Sequence, residues 1–539
     1  MSSKPSKPYP LDLQFRGHVE GLTYLDAASN PSCHFFGGVP YALPPLGQFR
    51  FQKPRSLPPC YRYGTKRNPA RFTGGCGVCP QAAWGGKLDD RAWDEDCLQS
   101  NVWVPVGKAP EGGWPVLFWI HGGFLQLGTP NDLDPRSLLS SSSLKCILVA
   151  PSYRLNILGF LASSTLSSQP TCSANVGFWD QRLALQWTYE NISYFGGNAA
   201  NITVGGYSAG SHSVFHQLKY ELDAVGEKKI IKRVMMLSNG PGLQPKSMDE
   251  AEAQYTELLD ILAVPRTLAP AEQLSRLRAL PAKALVKATQ GMKMHQFRAA
   301  TDSVFVQPDM LKALASGAFA AKLKARNIHI MLGECADEHF VYGTWYPPSS
   351  PGLQSLYERL CVDYPAIYVR AILAYYFPSA TSTNTPALPK KFDNWQHAFS
   401  YIYASIQIHS LLRGLAQSLV SHGASHLLHR YRIEWRASCV DKKFPKAWGA
   451  THTSDMTIWM HGNGEDLSAQ ETKVIEEWLG PVASFVGGDG SGGWSAQGET
   501  RTLKENGNIL MERDDEGREV EGRGVWDAVL AVKSRKAKL

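Results

Sequence analysis

Short apolar runs alternate along this chain with longer segments that have the spacing of a helix. Residues 115–120 and 146–150 are continuously apolar, as is typical of strands that are covered on both faces. Residues 234–237 and 328–332 are further strand candidates, with Ala-, Leu- and Glu-rich helical sequence between them. Residues 180–196 carry apolar side chains three and four positions apart, which indicates a helix. The alternation predicts an α/β fold with a mainly parallel sheet and helices on both of its faces.

The other segments are less regular. Glycine and proline recur every few residues between 34 and 54, which favours an ordered, turn-rich loop. Residues 94–105 end in an alternating pattern that predicts a strand, and residues 426–435 are predicted to form a late strand. Residues 353–422 are mostly helical in pattern. The glycine-rich residues 487–493 favour a flexible loop, because no helix with an opening Lys-Ser/Thr follows them as in a phosphate-binding loop.

One serine stands in a glycine frame between a predicted strand and a predicted helix. The β-branched run that starts at Ile202 ends at Gly206, and Gly210 follows Ser208 where a helix can begin. Gly-x-Ser-x-Gly in this position is the nucleophile elbow of the α/β-hydrolase fold. The two glycines let strand and helix approach closely and leave the serine exposed on a strained turn.

We therefore predict one α/β-hydrolase domain over residues 1–539. Helical insertions at about 245–325 and 345–420 are expected to lie over the active site and to build its substrate pocket.

A serine hydroxyl becomes a nucleophile when a histidine takes its proton and a carboxylate orients that histidine. In this fold the acid and then the histidine follow the nucleophile along the chain. The strand at 328–332 is followed by Glu334, Asp337 and Glu338, and their spacing does not select one of them.

Several histidines lie late enough in the chain to serve as the base. His452 is favoured because it lies in a polar loop after a late strand, with Asp455 three residues further on. The candidates are His339, His397, His409, His422, His426, His429, His452 and His461.

An oxyanion hole needs backbone N–H groups that point at the developing negative charge. His121, Gly122, Gly123 and Phe124 come directly after the buried strand 115–120, so that the glycine amides can approach a substrate closely. The residue after the nucleophile, Ala209, supplies a further N–H group.

Charge and composition exclude several function classes. The net charge is +7, and the basic residues are spread along the chain, which argues against nucleic-acid binding. No apolar run has the length of about 18 residues that a membrane span needs. The N-terminus lacks the apolar core of a secretory signal, so the ten cysteines are expected to be reduced. Cys76 and Cys79 lack the second ligand pair of a zinc site, and we expect no metal and no cofactor.

The C-terminal residues Ala537, Lys538 and Leu539 are a conservative variant of the Ser-Lys-Leu peroxisomal address. We expect recognition by a peroxisomal import receptor, with a cytosolic location as the alternative. The oligomeric state is left open.

The motifs together resemble the type-B carboxylesterase family, the cholinesterase-like branch of the α/β-hydrolases, from about residue 34 to 480. The resemblance rests on nine motifs in order, which start at Phe36 (Phe-Gly-Gly-Val-Pro-Tyr-Ala-x-Pro-Pro), Glu95 (Glu-Asp-Cys-Leu-x-x-Asn-Val), His121 (His-Gly-Gly-Phe), Tyr153 (Tyr-Arg-Leu), Leu158 (Leu-Gly-Phe), Asn175 (Asn-x-Gly), Asp180 (Asp-Gln-Arg-x-Ala-Leu), Phe195 (Phe-Gly-Gly) and Ser208 (Ser-Ala-Gly).

The resemblance implies that Glu338 is the acid and that His452 is the base. It also implies that Cys97 is disulfide-bonded in secreted relatives, to the position of Cys76 or Cys79, whereas a thiol is expected here. Two residues depart from the family pattern. Tyr207 stands where relatives often carry an acid before the serine, and His339 replaces the usual glycine after the acid.

The resemblance and the candidate residues together imply a serine carboxylesterase that hydrolyses a small-molecule ester through an acyl-enzyme on Ser208. One alternative is acyl transfer or lactone chemistry in a biosynthetic pathway, which would use the same acyl-enzyme. A second alternative is a non-catalytic, cholinesterase-like protein that retains only the fold.

Overall fold

A long sheet of 13 strands organises the computed structural model, which describes residues 5–379, 387–488 and 499–532. These strands are β1 (Ser6–Asp12), β2 (His18–Leu25), β3 (Pro31–Pro40), β4 (Ala70–Arg71), β5 (Gln99–Pro105), β6 (Trp114–Ile120), β7 (Ile147–Pro151), β8 (Gly197–Tyr207), β9 (Ile231–Leu237), β10 (His329–Cys335), β11 (Leu428–Ile433), β12 (Thr500–Leu503) and β13 (Ile509–Glu512). Two short strand pairs lie outside this sheet. Ala42–Leu43 pairs antiparallel with Arg55–Ser56, and Lys246–Ser247 pairs parallel with Ala300–Thr301.

The strand order along the sheet is β1-β2-β3-β5-β7-β6-β8-β9-β10-β11-β12-β13, and β4 pairs with β2. The strands from β7 to β12 in this order pair in parallel, and antiparallel strands flank them at both ends. The predicted strands at 115–120, 146–150, 234–237 and 328–332 correspond to β6, β7, β9 and β10. The predicted parallel sheet is confirmed.

Helices cover both faces of this sheet. The α-helices of the described residues are Arg136–Ser141, Asn156–Phe160, Ser164–Ser167, Val176–Asn191, Ala209–Asp223, Met248–Ile261, Pro270–Ala279, Ala282–Gln290, Met310–Ala315, Ala318–Arg326, His339–Tyr342, Leu353–Asp363, Ala366–Tyr376, Trp395–Ala404, Ser410–Ser421, Met456–Trp459, Ala469–Gly487 and Glu516–Leu530. A π-helical turn, Ser405–His409, joins Trp395–Ala404 to Ser410–Ser421.

The continuous apolar pattern of β6 follows from this covering. Phe118 and Ile120 belong to the larger buried core, whereas Leu117 and Trp119 belong to a second core on the other face. Successive side chains of a strand point to opposite faces, so a strand covered on both sides needs apolar residues at every position.

The segment 34–54 was expected to be a loop, and this expectation is wrong in its first part. Residues up to Pro40 belong to β3, which pairs with β2 and β5. The pairing register shifts between Phe36 and Val39, where Gly37 and Gly38 lie and Gly38 has a φ of 75°. A glycine pair can therefore interrupt a strand as a bulge without ending it, and the neighbouring strands supply the pairing that the local pattern does not show.

The expectation of a thiol at Cys97 is also wrong, because the structure joins Cys79 and Cys97 in a disulfide. Their Cα atoms lie 5.3 Å apart, within the range that a disulfide spans. Cys76, the other possible partner, is a free and buried thiol whose Sγ donates to Asn101 Oδ1 at 3.3 Å.

Two further expectations concern membrane-spanning helices and the segments at 487–493 and 537–539. Among the described residues, no helix has both the length and the apolar character needed to cross a membrane. The C-terminal residues 537–539 and most of the glycine-rich segment 487–493 lie outside the described residues.

Candidate active site

Ser208 lies on the sharp turn that connects β8 to the helix Ala209–Asp223. Its backbone has φ of 57° and ψ of −125°, a conformation that side-chain-bearing residues rarely adopt. A Cβ at Gly206 would lie 2.5 Å from the carbonyl carbon of Gly210, and a Cβ at Gly210 would lie 2.0 Å from the oxygen of Ile120. Both flanking positions therefore require glycine, which is the physical basis of the sequence pattern.

The carboxyl ends of four parallel strands bring the candidate residues together. β6 ends just before His121, and β8 ends just before Ser208. β10 ends three residues before Glu338, and the loop that carries His452 follows β11. Ligand sites of open parallel sheets lie at this edge.

Ser208, His452 and Glu338 form a continuous chain of contacts. The Oγ atom of Ser208 lies 2.8 Å from His452 Nε2, and His452 Nδ1 lies 2.5 Å from Glu338 Oε2. All three side chains are buried, with 5%, 2% and 0% of their surface exposed. The structure thus brings together the serine, histidine and acid that the sequence analysis selected.

The other carboxylates after β10 make different contacts. Glu334 accepts hydrogen bonds from both terminal nitrogens of Arg413, and its Oε2 lies 2.8 Å from His409 Nδ1. Asp337 accepts a hydrogen bond from the N–H of Ala450. Among these three residues, only Glu338 contacts His452.

The segment after β6 passes directly beside Ser208. A Cβ at Gly122 would lie 3.0 Å from Ser208 Cβ, and Gly123 has a φ of 106°. His121 stacks on Tyr153 with 4.4 Å between ring centroids, and the Tyr153 hydroxyl donates to the His121 oxygen at 2.9 Å. Burial lowers the pKa of His121 to about 4, so that the ring stays neutral while it supports this backbone.

Two tyrosines flank the His452 ring, with centroids 5.1 Å away for Tyr207 and 4.8 Å away for Tyr342. The Tyr207 hydroxyl accepts a hydrogen bond from the N–H of Thr453 at 2.5 Å and lies 3.4 Å from His452 Nδ1. Tyr342 is fully buried, and its ring lies against the same imidazole. Sequence reasoning noted Tyr207 only as a departure from the family and missed Tyr342, which lies one helical turn after Glu338.

A second carboxylate lies beneath the histidine loop. Asp455 is fully buried, and its Oδ2 accepts a hydrogen bond from Trp459 Nε1 at 2.7 Å. Burial raises the pKa of Asp455 to about 6, and repulsion from Glu338 adds to this rise. The acid that helped to single out His452 is therefore a separate buried carboxyl, and the imidazole nitrogens contact Glu338 Oε2 and Ser208 Oγ instead.

A cleft of about 630 Å³ opens at Ser208, which is within the size range of small-molecule sites. The segments 121–133 and 443–456 supply much of its walls, and Trp119 and Tyr207 lie beside the serine. Its lining exposes mostly apolar surface.

The prediction that the two insertions build this pocket is wrong. None of the described residues that line the cleft belongs to 245–325 or 345–420. Both segments are helical. Their apolar side chains, such as Leu285 and Tyr403, pack in the same buried core as Phe124. The second segment contributes from behind, through Trp345, which stacks on Phe124 with 4.2 Å between centroids.

The chain is similar in sequence to proteins named as carboxylic ester hydrolases or esterases. The sequence matches the carboxylesterase family over residues 10–504. It is 45% identical over 484 residues to a carboxylic ester hydrolase of Gibberella moniliformis, covering 88% of this chain and 87% of the relative. It is 35% identical to an uncharacterised esterase/lipase of Schizosaccharomyces pombe, covering 98% and 96%.

The crystal structure of Aspergillus niger EstA superposes with a TM-score of 0.73 at 20% identity, covering 97% of this chain and 98% of that one, which shows a shared fold. The chain belongs to the carboxylesterase family. The predictions of an α/β-hydrolase fold and of a carboxylic ester hydrolase are confirmed.

Proposed function

We propose that the protein hydrolyses a small, uncharged carboxylic ester through an acyl-enzyme on Ser208. The observation that carries this proposal is the uninterrupted contact from Ser208 Oγ through the His452 ring to Glu338. A serine, a histidine and a carboxylate with these contacts form the arrangement that activates a hydroxyl for attack on a carbonyl. The same contacts argue against a non-catalytic protein that retains only the fold.

In the acylation step, His452 Nε2 takes the proton of Ser208 as Oγ attacks the ester carbonyl carbon. The imidazolium that forms keeps its Nδ1–H on Glu338, which stabilises the positive charge and fixes the ring orientation. The N–H groups of Gly122, Gly123 and Ala209 stabilise the negative charge on the carbonyl oxygen. His452 then protonates the leaving alcohol oxygen as its bond to carbon breaks.

In the deacylation step, His452 takes a proton from water, and the hydroxide attacks the acyl carbon. The second tetrahedral intermediate collapses, His452 returns a proton to Ser208 Oγ, and the carboxylic acid leaves. Acyl transfer would follow the same path with an alcohol in place of water, so product analysis with an added alcohol distinguishes the two reactions.

The test is turnover of p-nitrophenyl acetate by purified variants. We expect Ser208→Ala and His452→Ala to lose about 10⁴-fold or more in kcat, and Glu338→Gln to lose about 10³- to 10⁴-fold. Ser211→Ala is the matched control. Ser211 lies on the helix that directly follows Ser208, and its hydroxyl donates to the backbone oxygen of Asn239 rather than to His452. Full activity of Ser208→Ala would refute the proposal.

A further inference from the structure

The loop that carries Glu338 is held by an arginine from the C-terminal helix. Arg518 lies in the first turn of Glu516–Leu530, and its Nη2 donates to the backbone oxygen of Ala336 at 2.8 Å. Its Nη1 donates to Glu334 Oε1 at 3.3 Å. Both acceptors lie just before Glu338 in the chain, so one guanidinium contacts the acid-bearing loop at two points.

The N–H groups of this loop are used by other contacts. The N–H of Cys335 donates to Glu338 Oε1 at 2.8 Å, while the other oxygen of that carboxylate contacts His452. The N–H of Ala336 donates to the backbone oxygen of Ile433 at 2.8 Å. These bonds fix the N–H groups of the loop and leave the carbonyl group of Ala336 for a different donor.

The peptide group between Ala336 and Asp337 is bonded on both of its sides. Its oxygen accepts from Arg518, and its N–H donates to the backbone oxygen of Ala450 at 3.0 Å. Asp337 Oδ2 in turn accepts the N–H of Ala450 at 3.2 Å. Ala450 lies just before His452 in the chain, so this peptide group joins the acid loop to the histidine loop. Donation to its oxygen polarises the group and strengthens the bond that its N–H makes.

Glu334 is an ionised partner that orients the Arg518 guanidinium. The carboxylate is buried and accepts hydrogen bonds from both terminal nitrogens of Arg413 at 2.9 Å, and His409 Nδ1 lies 2.8 Å away. Burial alone would raise the pKa of this carboxyl, but Arg413 and His409 together hold it well below its ordinary value. A charge-assisted bond to Glu334 therefore fixes one arm of the Arg518 fork, and the other arm reaches Ala336.

The helix that carries Arg518 is anchored by contacts that do not involve the guanidinium. Asp515 caps its N-terminus by accepting the backbone N–H of Arg518 at 2.8 Å. Trp526 is buried and packs so closely on Gly414 that a Cβ there would lie 2.2 Å from the indole. We therefore expect a change of the Arg518 side chain to leave this helix in place.

Arg518 lies away from the cleft at Ser208, because it is not among the described residues that line it. Its guanidinium does not contact a substrate bound there, so an effect on turnover must pass through the loop that it holds. Arg518 also lies after residues 10–504, the part of the chain that matches the carboxylesterase family.

We propose that Arg518 is a positioning residue of the ester hydrolysis. By holding the carbonyl group of Ala336, it keeps the Glu338 carboxylate against the His452 ring. The inference rests on the proposed function, because Glu338 stabilises the imidazolium that forms when Ser208 attacks the ester. Loss of the guanidinium frees the loop and lowers the fraction of time that the carboxylate contacts the ring. The cleft is unchanged, so the effect falls on kcat and not on KM.

The first test removes the guanidinium and keeps an unbranched apolar stem. We expect Arg518→Met to lower kcat for p-nitrophenyl acetate about five- to tenfold and to change KM less than twofold. Arg518→Lys, whose ammonium can still donate to Ala336, should lose about two- to threefold. Arg523→Met is the matched control and should keep the wild-type kcat, because Arg523 is exposed on the same helix. Expressing kcat per site titrated with a fluorophosphonate removes the contribution of unfolded chains.

A double-mutant cycle separates positioning from a general loss of structure. We expect Arg518→Met to change kcat less than twofold in a Glu338→Gln background, because the carboxylate that it positions is then absent. If Arg518→Met gives no titratable sites, the cycle is run with Arg518→Lys, whose smaller loss should likewise disappear. Equal losses in both backgrounds, or wild-type kcat in Arg518→Met, would overturn the proposal and leave the proposed function standing. An active Ser208→Ala variant would overturn the function itself.

Discussion

The hydroxyl of Tyr207 accepts the backbone N–H of Thr453 at 2.5 Å, so the residue before the candidate nucleophile holds the residue after the candidate base. Thr453 has a φ of 72°, a conformation that a β-branched residue adopts only when its surroundings enforce it. Tyr207 thus fixes the histidine loop relative to the nucleophile elbow. This contact gives a structural reason for a tyrosine before the candidate nucleophile.

Replacing Tyr207 by phenylalanine should lower kcat about tenfold and leave KM for p-nitrophenyl acetate nearly unchanged. The ring still fills its site, but the Thr453 N–H loses its acceptor, at a cost of about 1–2 kcal/mol. The rate of labelling by a fluorophosphonate should fall in parallel. Tyr255→Phe removes a buried hydroxyl that donates to Gln273 in a helical insertion and should leave kcat unchanged. Unchanged kcat in Tyr207→Phe would show that the contact does not position His452.

Asp455 makes the folded state sensitive to pH. Its folded pKa of about 6 lies above the ordinary aspartate value of about 3.9, so the native state binds the proton more tightly than the unfolded state does. The stability that this proton contributes is fully present below about pH 4 and is lost as the pH rises through 6.

We therefore expect Asp455→Asn to unfold like the wild type at pH 4 and to be more stable at pH 7.5, by about 1–3 kcal/mol. The amide oxygen can still accept the Trp459 hydrogen bond, and the amide carries no charge to bury. Urea denaturation at the two pH values measures the difference. A stability difference that is the same at both values would contradict the raised pKa.

The Cys79–Cys97 disulfide should stabilise the chain. Its sequence separation is 18, and a loop of this size corresponds to about 3 kcal/mol in the chain-entropy account. Cys97→Ser should lower the urea midpoint, and reduction of the wild type should have a similar effect. Cys60→Ser is the control, because Cys60 is exposed and free. Peptide mapping without a reductant should recover one cross-linked Cys79–Cys97 peptide, and alkylation of both cysteines under these conditions would contradict the structure.

The peroxisomal location stays a prediction from residues 537–539. A fluorescent tag after Leu539 should leave the protein in the cytosol, and a tag at the N-terminus should leave it in peroxisomes. Cytosolic fluorescence from both fusions would remove the prediction. The disulfide bears on the same question, since disulfides persist in oxidising compartments and are rare in the cytosol.

Local pattern was enough to predict the sheet and the elbow. The apolar run of β6 reflects burial on two faces, and Gly206 and Gly210 reflect contacts too close for a Cβ. Both signals lie within a few residues of the feature that they predict, and the family resemblance then supplied Glu338 and His452. Spacing alone left Glu334, Asp337 and Glu338 open, and in the structure it is Glu338 that contacts His452, whereas Glu334 contacts His409.

Features that depend on distant contacts were not visible in the sequence. β3 was missed because its strand character comes from pairing with β2 and β5 across a glycine bulge. The cleft was assigned to the wrong segments, since helical insertions look alike whether they line a pocket or fill a core.

The central claim is that Ser208 carries the acyl group during turnover. Rapid mixing with p-nitrophenyl acetate, acid quenching and peptide mapping by mass spectrometry test it most directly. We predict one acetyl group per chain, located on Ser208, which forms in the wild type and is absent from Ser208→Ala. Hydrolysis that proceeds without an acetylated Ser208, or an acetyl group that maps to another residue, would contradict the account.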